Sequence, residues 1–460
     1  MSRKSIIVVL LLFTVAGMGC KNAGESLVLP EPAQLGSGYD TYHPVAKTGD
    51  IEEYAVPSSE LKEISLSQCL SLALMHNPRL RAFSWNVRAR EAELIQAGLT
   101  PDPELDVEVD GVGGPGEMSG FQSSEFSFRL SKIIELGGKK SKRIKLASLE
   151  QQSAGWDYEK VRLDLFAEVT KTFIEVVAAQ ERMAITEDLL DISEQLLRSV
   201  EKRVEAGKDA DLEEKKARVI LSRMKIQYDV CTRKLDEARR RLSSMWGDER
   251  SVFGTAIGSL DSMSPVPSYE IFQEMLTGHY GIRQGELKVE RMQAALDLEN
   301  ALAIPDISFS GGIKKFNKSG EKLLLFGVSI PLPLRNRNQG ARLRAGYELA
   351  GAAENLREVH SRVNVELFEK YSLFSSAYIE ASQLKKNILG SAEAVFAASM
   401  KSYENGKSDY LNVLDSQRML FEVRTQYIDA LVRYHSAGAE IERLTGSPVD
   451  KEGLYDGRRK

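Results

Sequence analysis

The sequence predicts a mainly α-helical protein with a small transmembrane β part, in which a unit of helix, strand, strand, long helix and helix occurs twice. Three observations predict this fold class: two long stretches without proline, a helix–turn–helix sequence that recurs, and short segments with alternating apolar residues. The composition agrees, because 28% charged and only 7% aromatic residues are typical of long amphipathic helices. The net charge of −5 argues against a nucleic-acid partner.

The prolines outline the long helices. All 14 prolines lie outside two windows, 116–264 and 334–447. A helical pattern continues through each window to a glycine, Gly207 in the first and Gly406 in the second. The 70 residues from Gly138 to Gly207 would measure roughly 100 Å as one helix. A small soluble domain does not need a helix of that length.

The recurring turn is the sequence Tyr403–Gln417. Gly406 ends one helix, and Ser408 or Asp409 is expected to cap the next. The sequence Glu205–Leu212 is the same turn, 199 residues earlier (406 − 207 = 199). The chain therefore contains an internal duplication.

A heptad seam follows each turn and predicts coiled-coil packing. Its a and d positions are apolar or aromatic in both copies: Leu221, Met224, Tyr228, Cys231, Leu235, Ala238, Leu242, Met245, and then Leu420, Val423, Tyr427, Ala430, Tyr434, Ala437, Ile441, Leu444. Cys231 is therefore interpreted as a small core residue rather than a reactive thiol.

The N-terminus is predicted to be a targeting segment. A short basic region precedes the apolar run Ile6–Val15, which is too short for a comfortable transmembrane helix. The run ends in small residues before Cys20, which resembles a bacterial lipoprotein signal and implies lipid on the Cys20 sulfur. Lys21 in the next position favours the outer membrane. An ordinary secretory signal cleaved nearby is the alternative.

These patterns divide the chain by residue number. We predict a lipoprotein signal peptide at 1–19, an extended N-terminal segment without its own core at 20–63, a first repeat at 64–247, a linker at 248–268, a second repeat at 269–446 and a C-terminal tail at 447–460.

Each repeat contains two segments with the period of a β-strand. Their apolar residues alternate with polar or small ones, and the segments have about the length of membrane-spanning barrel strands. The apolar members are Leu105, Val107, Val109, Phe126, Phe128 and Leu130 in the first repeat and Ile307, Phe309, Leu324, Phe326, Val328 and Ile330 in the second. Four strands cannot close a barrel, whereas three copies would supply twelve. The alternative is a pair of soluble hairpins packed on helices.

Five motifs in this order resemble the TolC-like outer-membrane efflux proteins, in particular the lipid-anchored heavy-metal and multidrug branch. The resemblance covers about 64–446 and rests on Leu66–Pro78, Leu99–Leu105, Ile134–Lys139, Val328–Pro333 and Tyr403–Gln417. It implies a homotrimer that forms a helical tunnel in the periplasm and a shared twelve-stranded barrel in outer-membrane lipid. It also implies two partners: a periplasmic adaptor protein and an inner-membrane pump of the RND or ABC type.

The resemblance also implies roles for the turns. The tips at Gly207, Lys208, Gly406 and Lys407 would meet the adaptor.

The periplasmic gate would involve Tyr403, Asp409 and Asp415. Ser408 and Asn412 depart from the arginine and aspartate that well-known relatives carry at these positions. We hypothesise that Asp415 contributes to a ring of three aspartates on the threefold axis and that Asp409 mainly caps its helix.

No active site is expected from the sequence. No catalytic constellation is recognisable, and the five histidines are far apart. We therefore predict no enzymatic activity, no cofactor and no metal site. The predicted function is a passive outer-membrane conduit of a tripartite efflux system, whose pump selects the cargo. A lipid-anchored periplasmic coiled-coil scaffold without a channel is the alternative.

Overall fold

The computed structural model describes residues 30–44, 61–113, 120–121, 123–248, 250 and 253–449. The predicted signal peptide, Cys20 and most of the C-terminal tail lie outside the described residues. The predicted fold class is confirmed: long helices dominate, and the strands are few and short.

The elements of the first repeat follow the predicted order. They are β1 (Leu61–Ser65), α1 (Leu66–His76), α2 (Pro78–Ala97), β2 (Glu104–Asp110), β3 (Glu125–Ile134), α3 (Lys139–Glu205) and α4 (Asp211–Ser244). The linker and the second repeat contain β4 (Phe253–Ile257), α5 (Tyr269–Met275), α6 (Tyr280–Leu302), β5 (Ile307–Phe316), β6 (Lys322–Ser329), α7 (Gln339–Gln383), α8 (Gly390–Glu404) and α9 (Tyr410–Thr445).

Capping residues set the first helices as their sequence predicts. The Ser65 side chain accepts from the backbone of Gln68, and the Gln68 side chain accepts from Ser65, which forms a capping box at the start of α1. Asn77 ends α1 and caps α2 through the backbone N–H of Leu80. Pro78 begins α2, where its missing N–H has no helical acceptor to lose.

Helix α3 is continuous over 67 residues, about 100 Å, as predicted. The second repeat differs from the prediction of one helix up to Gly406. A π-helix at Leu384–Leu389 separates α7 from α8. A local i→i+5 turn of this kind has no periodicity signal of its own, so the apolar pattern did not reveal it.

The helices pack side by side around α3. Towards the strands, α3 contacts α2 and α6; towards the tips, it contacts α4 and α9. Helix α7 packs against α6 and α9. The predicted seam is confirmed on this packing, because its eight positions on α9 are buried and none of the eight in the first repeat is exposed.

The N-terminal segment, which was predicted to be extended without its own core, and the linker both contribute side chains to a core that they share with the first repeat. Strand β4 of the linker pairs in parallel with β1, with Ile64 opposite Ala256. Leu35 is 2% exposed and packs in the same core cluster as α3. This core is formed by contacts distant in sequence, which local patterns do not encode.

Strands β2, β3, β5 and β6 form one antiparallel sheet in that order. The predicted strands are confirmed. No helix among the described residues is long and apolar enough to cross a membrane.

Candidate channel and its periplasmic tips

The sheet has one exposed apolar face. Its register places Leu105 opposite Leu130, and Leu130 opposite Gly311, which in turn lies opposite Phe326. Leu105 is 67% exposed and Phe326 is 85% exposed, so these side chains have no core to cover them in one chain. The next row on this face consists of Val107, Phe128, Ile313 and Leu324. A wide apolar surface of this kind suits contact with lipid.

The opposite face is polar over β2, β3 and β5. Asp106 lies opposite Arg129, and Glu108 lies opposite Ser127, which is followed by Lys314 on β5. Gly312 allows β5 to approach β3 closely, because a Cβ at this position would lie 2.4 Å from the carbonyl oxygen of Phe128. One face thus suits lipid and the other suits water.

The two edges of this sheet remain open within the described chain. Strands β2 and β6 are at the ends of the strand order and each pairs on one side only. Unpaired backbone groups in hydrocarbon cost several kcal/mol each. A single sheet of this kind is therefore incomplete as a membrane structure.

The two tips have the same backbone conformation. The N–H of Lys208 donates to the carbonyl of Arg203 at 2.8 Å, and the N–H of Lys407 donates to the carbonyl of Ser402 at 2.8 Å. Gly207 and Gly406 have positive φ angles of 65° and 69°. These are Schellman motifs, which explains why glycine stands at both positions. The four predicted adaptor contacts, Gly207, Lys208, Gly406 and Lys407, are all exposed.

A polar network joins the two tips. The Tyr403 hydroxyl donates to Asp209 Oδ2 at 2.9 Å. The Arg203 guanidinium binds both Asp209 oxygens, through Nε at 2.8 Å and Nη2 at 3.0 Å. Arg203 Nη1 also donates to the carbonyl oxygen of Tyr403 at 3.2 Å. The Tyr403 ring itself is buried, at 1% exposure, beside Tyr410.

The electrostatics of this network favour the charged carboxylate. Hydrogen bonding from Arg203 lowers the pKa of Asp209; partial burial opposes this effect, and the bond from Tyr403 adds to it. Burial, followed by the hydrogen bond to the Asp209 carboxylate, raises the pKa of Tyr403. The pair is therefore an ionised acid and a neutral phenol at neutral pH.

The predicted acidic residues Asp409 and Asp415 take no part in this network. Asp409 occupies the N-cap position of α9, yet its side chain makes no capping hydrogen bond. The prediction that Asp409 mainly caps the helix is therefore wrong for the side chain. Asp415 is exposed on α9. The hydrogen bond to Glu422 raises the pKa of Arg418, and the charge of Asp415 adds a smaller effect in the same direction. Ser408 has a buried hydroxyl that finds no hydrogen-bond partner among the described residues, and Asn412 is exposed.

Sequence reasoning missed Arg203 and Asp209. It sought the arginine of the gate at position 408, on the second tip, whereas the structure supplies a guanidinium from the first tip. Asp209 lies two residues after Gly207, and a polar residue so close to a turn is usually interpreted as a cap. Only the packing of one tip on the other reveals the network.

A second ion cluster joins helices of the two repeats. Arg443 of α9 binds Asp164 at 3.3 Å, Glu366 at 2.6 Å and Glu440 at 2.9 Å. Its Nη1 also donates to the Tyr280 hydroxyl at 3.0 Å. One guanidinium thereby connects α3, α6, α7 and α9. Among the described residues, no group of three or more His, Cys, Asp or Glu could hold a metal ion.

The long helices and the two-faced sheet define a class of protein, the outer-membrane channel with a helical extension. The family model described as "Outer membrane efflux protein" matches residues 69–248 and 271–447. The chain belongs to this family and is an outer-membrane efflux channel protein. The alternative of a scaffold without a channel is therefore set aside.

Comparisons with individual proteins agree. The chain is 30% identical over 390 residues to the cobalt-zinc-cadmium resistance protein CzcC of Cupriavidus metallidurans, covering 85% of this chain and 92% of CzcC. It is 24% identical over 416 residues to the pyoverdine export outer membrane protein OpmQ of Pseudomonas aeruginosa, covering 85% and 87%. The fold is similar to the crystal structure of VceC from Vibrio cholerae, with a TM-score of 0.70 at 15% identity, covering 83% and 96%.

Proposed function

We propose that three copies of the chain form one channel. The observation that supports this most strongly is the four-stranded sheet with two open edges, an exposed apolar face and a polar face. Three copies would pair β6 of each chain with β2 of the next and close a barrel of twelve strands. Lipid then covers the apolar face, and the polar face lines the pore.

The helices extend this pore into the periplasm as a passive conduit. Helix α3 alone spans about 100 Å, far more than a bilayer. The chain would work in a tripartite system with a periplasmic adaptor and an inner-membrane pump of the RND or ABC type, which supplies the energy. The exposed turns at Gly207, Lys208, Gly406 and Lys407 are the proposed contacts with the adaptor.

The tips would form the gate at the periplasmic end of the conduit. The bonds from Tyr403 and Arg203 to Asp209 hold the two hairpins of one protomer together. Opening must therefore either break these bonds or move both hairpins as one unit. Asp409 and Asp415 are exposed on the second hairpin, at the N-cap and in the second turn of α9. We place Asp415 in a ring of three carboxylates that attracts cations and repels anions. If the replacement Asp415→Ala leaves both cation preference and resting conductance in planar bilayers unchanged, the ring has no such role.

The cargo proposed for the conduit is a divalent transition metal cation. This follows from the relative CzcC, whose name identifies a cobalt, zinc and cadmium resistance protein. A strain without this chain should lose growth at raised cobalt, zinc or cadmium concentration and recover it on complementation. Unchanged metal tolerance with impaired release of pyoverdine would favour the function named for OpmQ instead.

Lipid on Cys20 would add an anchor to the barrel. The replacement Cys20→Ser should abolish incorporation of radiolabelled palmitate. The protein should nevertheless remain in the outer-membrane fraction, because the barrel holds it there. Release of this variant into the soluble periplasmic fraction would contradict the proposed barrel.

Conductance tests the channel directly. The purified protein, added to a planar bilayer, should give discrete single-channel conductance steps. A single sheet of four strands encloses no pore and cannot produce them. A protein that binds the bilayer without any conductance steps, in both wild-type and tip variants, would contradict the proposal.

A further inference from the structure

The two repeats contact each other within one chain. Strand β3 pairs with β5 over ten residues, from Glu125 opposite Phe316 to Ile134 opposite Ile307. Helix α3 packs along α6 on the same side. The second half of the first repeat therefore meets the first half of the second repeat. By duplication, β6 and α7 carry the surface equivalent to β3 and α3, and β2 and α2 carry the equivalent of β5 and α6.

One carboxylate anchors this contact at the junction of sheet and helices. Asp306, which lies just before β5, accepts from the backbone N–H of Leu136 at 2.9 Å. It also pairs with Lys139 Nζ at 2.6 Å, at the start of α3. Lys139 is 5% exposed, so the ion pair is well covered. This anchor joins the end of β3 to the beginning of β5.

The duplication supplies an equivalent for each part of this anchor. Pro305-Asp306 follows the opening helix of the second repeat as Pro101-Asp102 follows that of the first. Gly138 and Asn338 precede the long helices, both with left-handed backbone, at φ 69° and 59°.

The helix starts have the same hydrogen bond. The N–H of Lys142 donates to Gly138, and the N–H of Arg342 donates to Asn338, each at 3.1 Å. The offset is 200 (338 − 138 = 200), which makes Asn336 the equivalent of Leu136.

The residues equivalent to the two sides of this anchor, Asp102 and the segment Arg335–Gln339, are largely exposed in the chain. Asp102 is exposed and forms no ion pair among the described residues. Arg335 and Arg337 are also exposed, and within the described chain neither binds a carboxylate. Gln339 stands at the position of Lys139 (339 − 139 = 200), so the positive charge of this segment comes from the two arginines instead. An acid and a basic segment thus lie at opposite edges of one protomer.

Apolar residues accompany both edges. Within the chain, Leu149 of α3 packs with Leu287 and Ala294 of α6 in a buried cluster. Helices α2 and α7, which adjoin the edge strands β2 and β6 in the sequence, instead carry exposed apolar side chains. They are Trp85 and Ile95 on α2 and Leu343 and Tyr347 on α7. A second copy would cover them as α3 and α6 cover each other.

We infer that the Asp102 carboxylate of one copy binds the segment Arg335–Gln339 of the next copy. It accepts the backbone N–H of Asn336 and pairs with Arg335 and Arg337. This inference rests on the proposed trimer and specifies which residues of its protomers meet. Each junction between sheet and helices is then completed by a residue of the neighbouring chain.

A disulfide pair tests the contact in the purified full-length protein. Asp102→Cys with Asn336→Cys should oxidise between chains, because the equivalent Asp306 and Leu136 are in hydrogen-bond contact. Nonreducing denaturing electrophoresis should then show bands at two and three times the chain mass. Leu136→Cys with Asp306→Cys is the matched control, which closes within one chain and keeps a single-mass band. The native Cys69 and Cys231 are buried.

The outcomes separate the contact from the trimer. Native light scattering that shows a trimer, together with a single-mass band for the 102/336 pair and an oxidised control pair, overturns the inference alone. A protein that is monomeric in native conditions overturns both the inference and the proposed trimer. Bands at two and three times the chain mass support the contact.

Charge reversal gives an independent readout. Asp102→Arg should lower the temperature at which the trimer dissociates in detergent, because it places like charges together. Adding Arg335→Asp and Arg337→Asp should restore most of the loss. A dissociation temperature unchanged by Asp102→Arg would contradict the ion pair.

Discussion

Tyr403 contributes to the tip both as a buried ring and as a hydrogen-bond donor. Its ring packs in a cluster with Leu196, Val200 and Val413, while its hydroxyl reaches Asp209. Packing and hydrogen bonding can therefore be separated by replacing the hydroxyl alone.

The replacement Tyr403→Phe should loosen the tip with little change of packing. The hydrogen bond that is lost stabilises the closed tip by about 1 kcal/mol, and the loss is no larger because Arg203 still binds Asp209. This free energy corresponds to an open probability about fivefold higher. Single-channel recording measures it. Tyr410→Phe is the control, since Tyr410 is also a buried ring beside Tyr403, and its hydroxyl donates no hydrogen bond among the described residues. Equal effects of both replacements would contradict a role for the Tyr403 bond.

The pH dependence of the gate follows from Asp209. Arg203 lowers the pKa of this carboxyl below the ordinary value of 3.8, so its stabilising contribution is complete above that value. The contribution is lost as the pH falls through the lowered pKa. Resting conductance should therefore stay constant from pH 7 down to about 4 and rise only in stronger acid. In Asp209→Asn it should be high at every pH; a wild-type rise near pH 6 would contradict this account.

The turns were the elements most accessible to sequence analysis. A glycine after a helical pattern and a polar residue before the next one predicted both tips, and the two Schellman motifs confirm them. The π-helix at Leu384–Leu389 and the pairing of β1 with β4 were not predicted. The first is a local change of hydrogen bonding, and the second joins short strands that are far apart in sequence.

Glycines at two positions of the second hairpin should respond in opposite directions to alanine. Gly406→Ala should destabilise the protein by about 1 kcal/mol, because its φ of 69° is left-handed. Gly390→Ala should stabilise it by up to about 1 kcal/mol, because this residue is helical and a Cβ there meets no atom within 4 Å. Denaturant unfolding of both variants measures the difference. The same sign in both would contradict the assigned conformations.

The Arg443 cluster is predicted to stabilise the packing of four helices. Arg443→Met removes the guanidinium that three carboxylates share and leaves Glu366 without an ion-pair partner among the described residues. The other two, Asp164 and Glu440, keep Lys160 and Lys171. The change should cost about 3 kcal/mol. Arg433→Met on the same helix removes one half-exposed pair with Glu380 and should cost at most about 1 kcal/mol. Thermal unfolding in detergent compares them. Equal losses of stability in the two variants would show that burial of the Arg443 cluster adds nothing to the stability of the protein.

For the whole molecule, the sequence predicted the duplication and the fold class, and the family match agrees with both. It did not predict the bonds of Arg203 and Asp209, because such ion pairs depend on how the tips pack. It predicted an extended N-terminal segment without its own core, but not that Leu35 is buried in the core cluster that includes residues of α3. Periodicity identifies the elements, whereas long-range pairing requires the structure.

The central claim is that one chain provides a third of a channel. Its sheet has two open edges, and its apolar face is exposed until other copies and lipid cover it. Native mass spectrometry of the protein extracted from outer membranes in mild detergent tests this directly. We predict a species of three times the mass of the processed chain. A stable monomer under the same conditions would contradict the shared barrel.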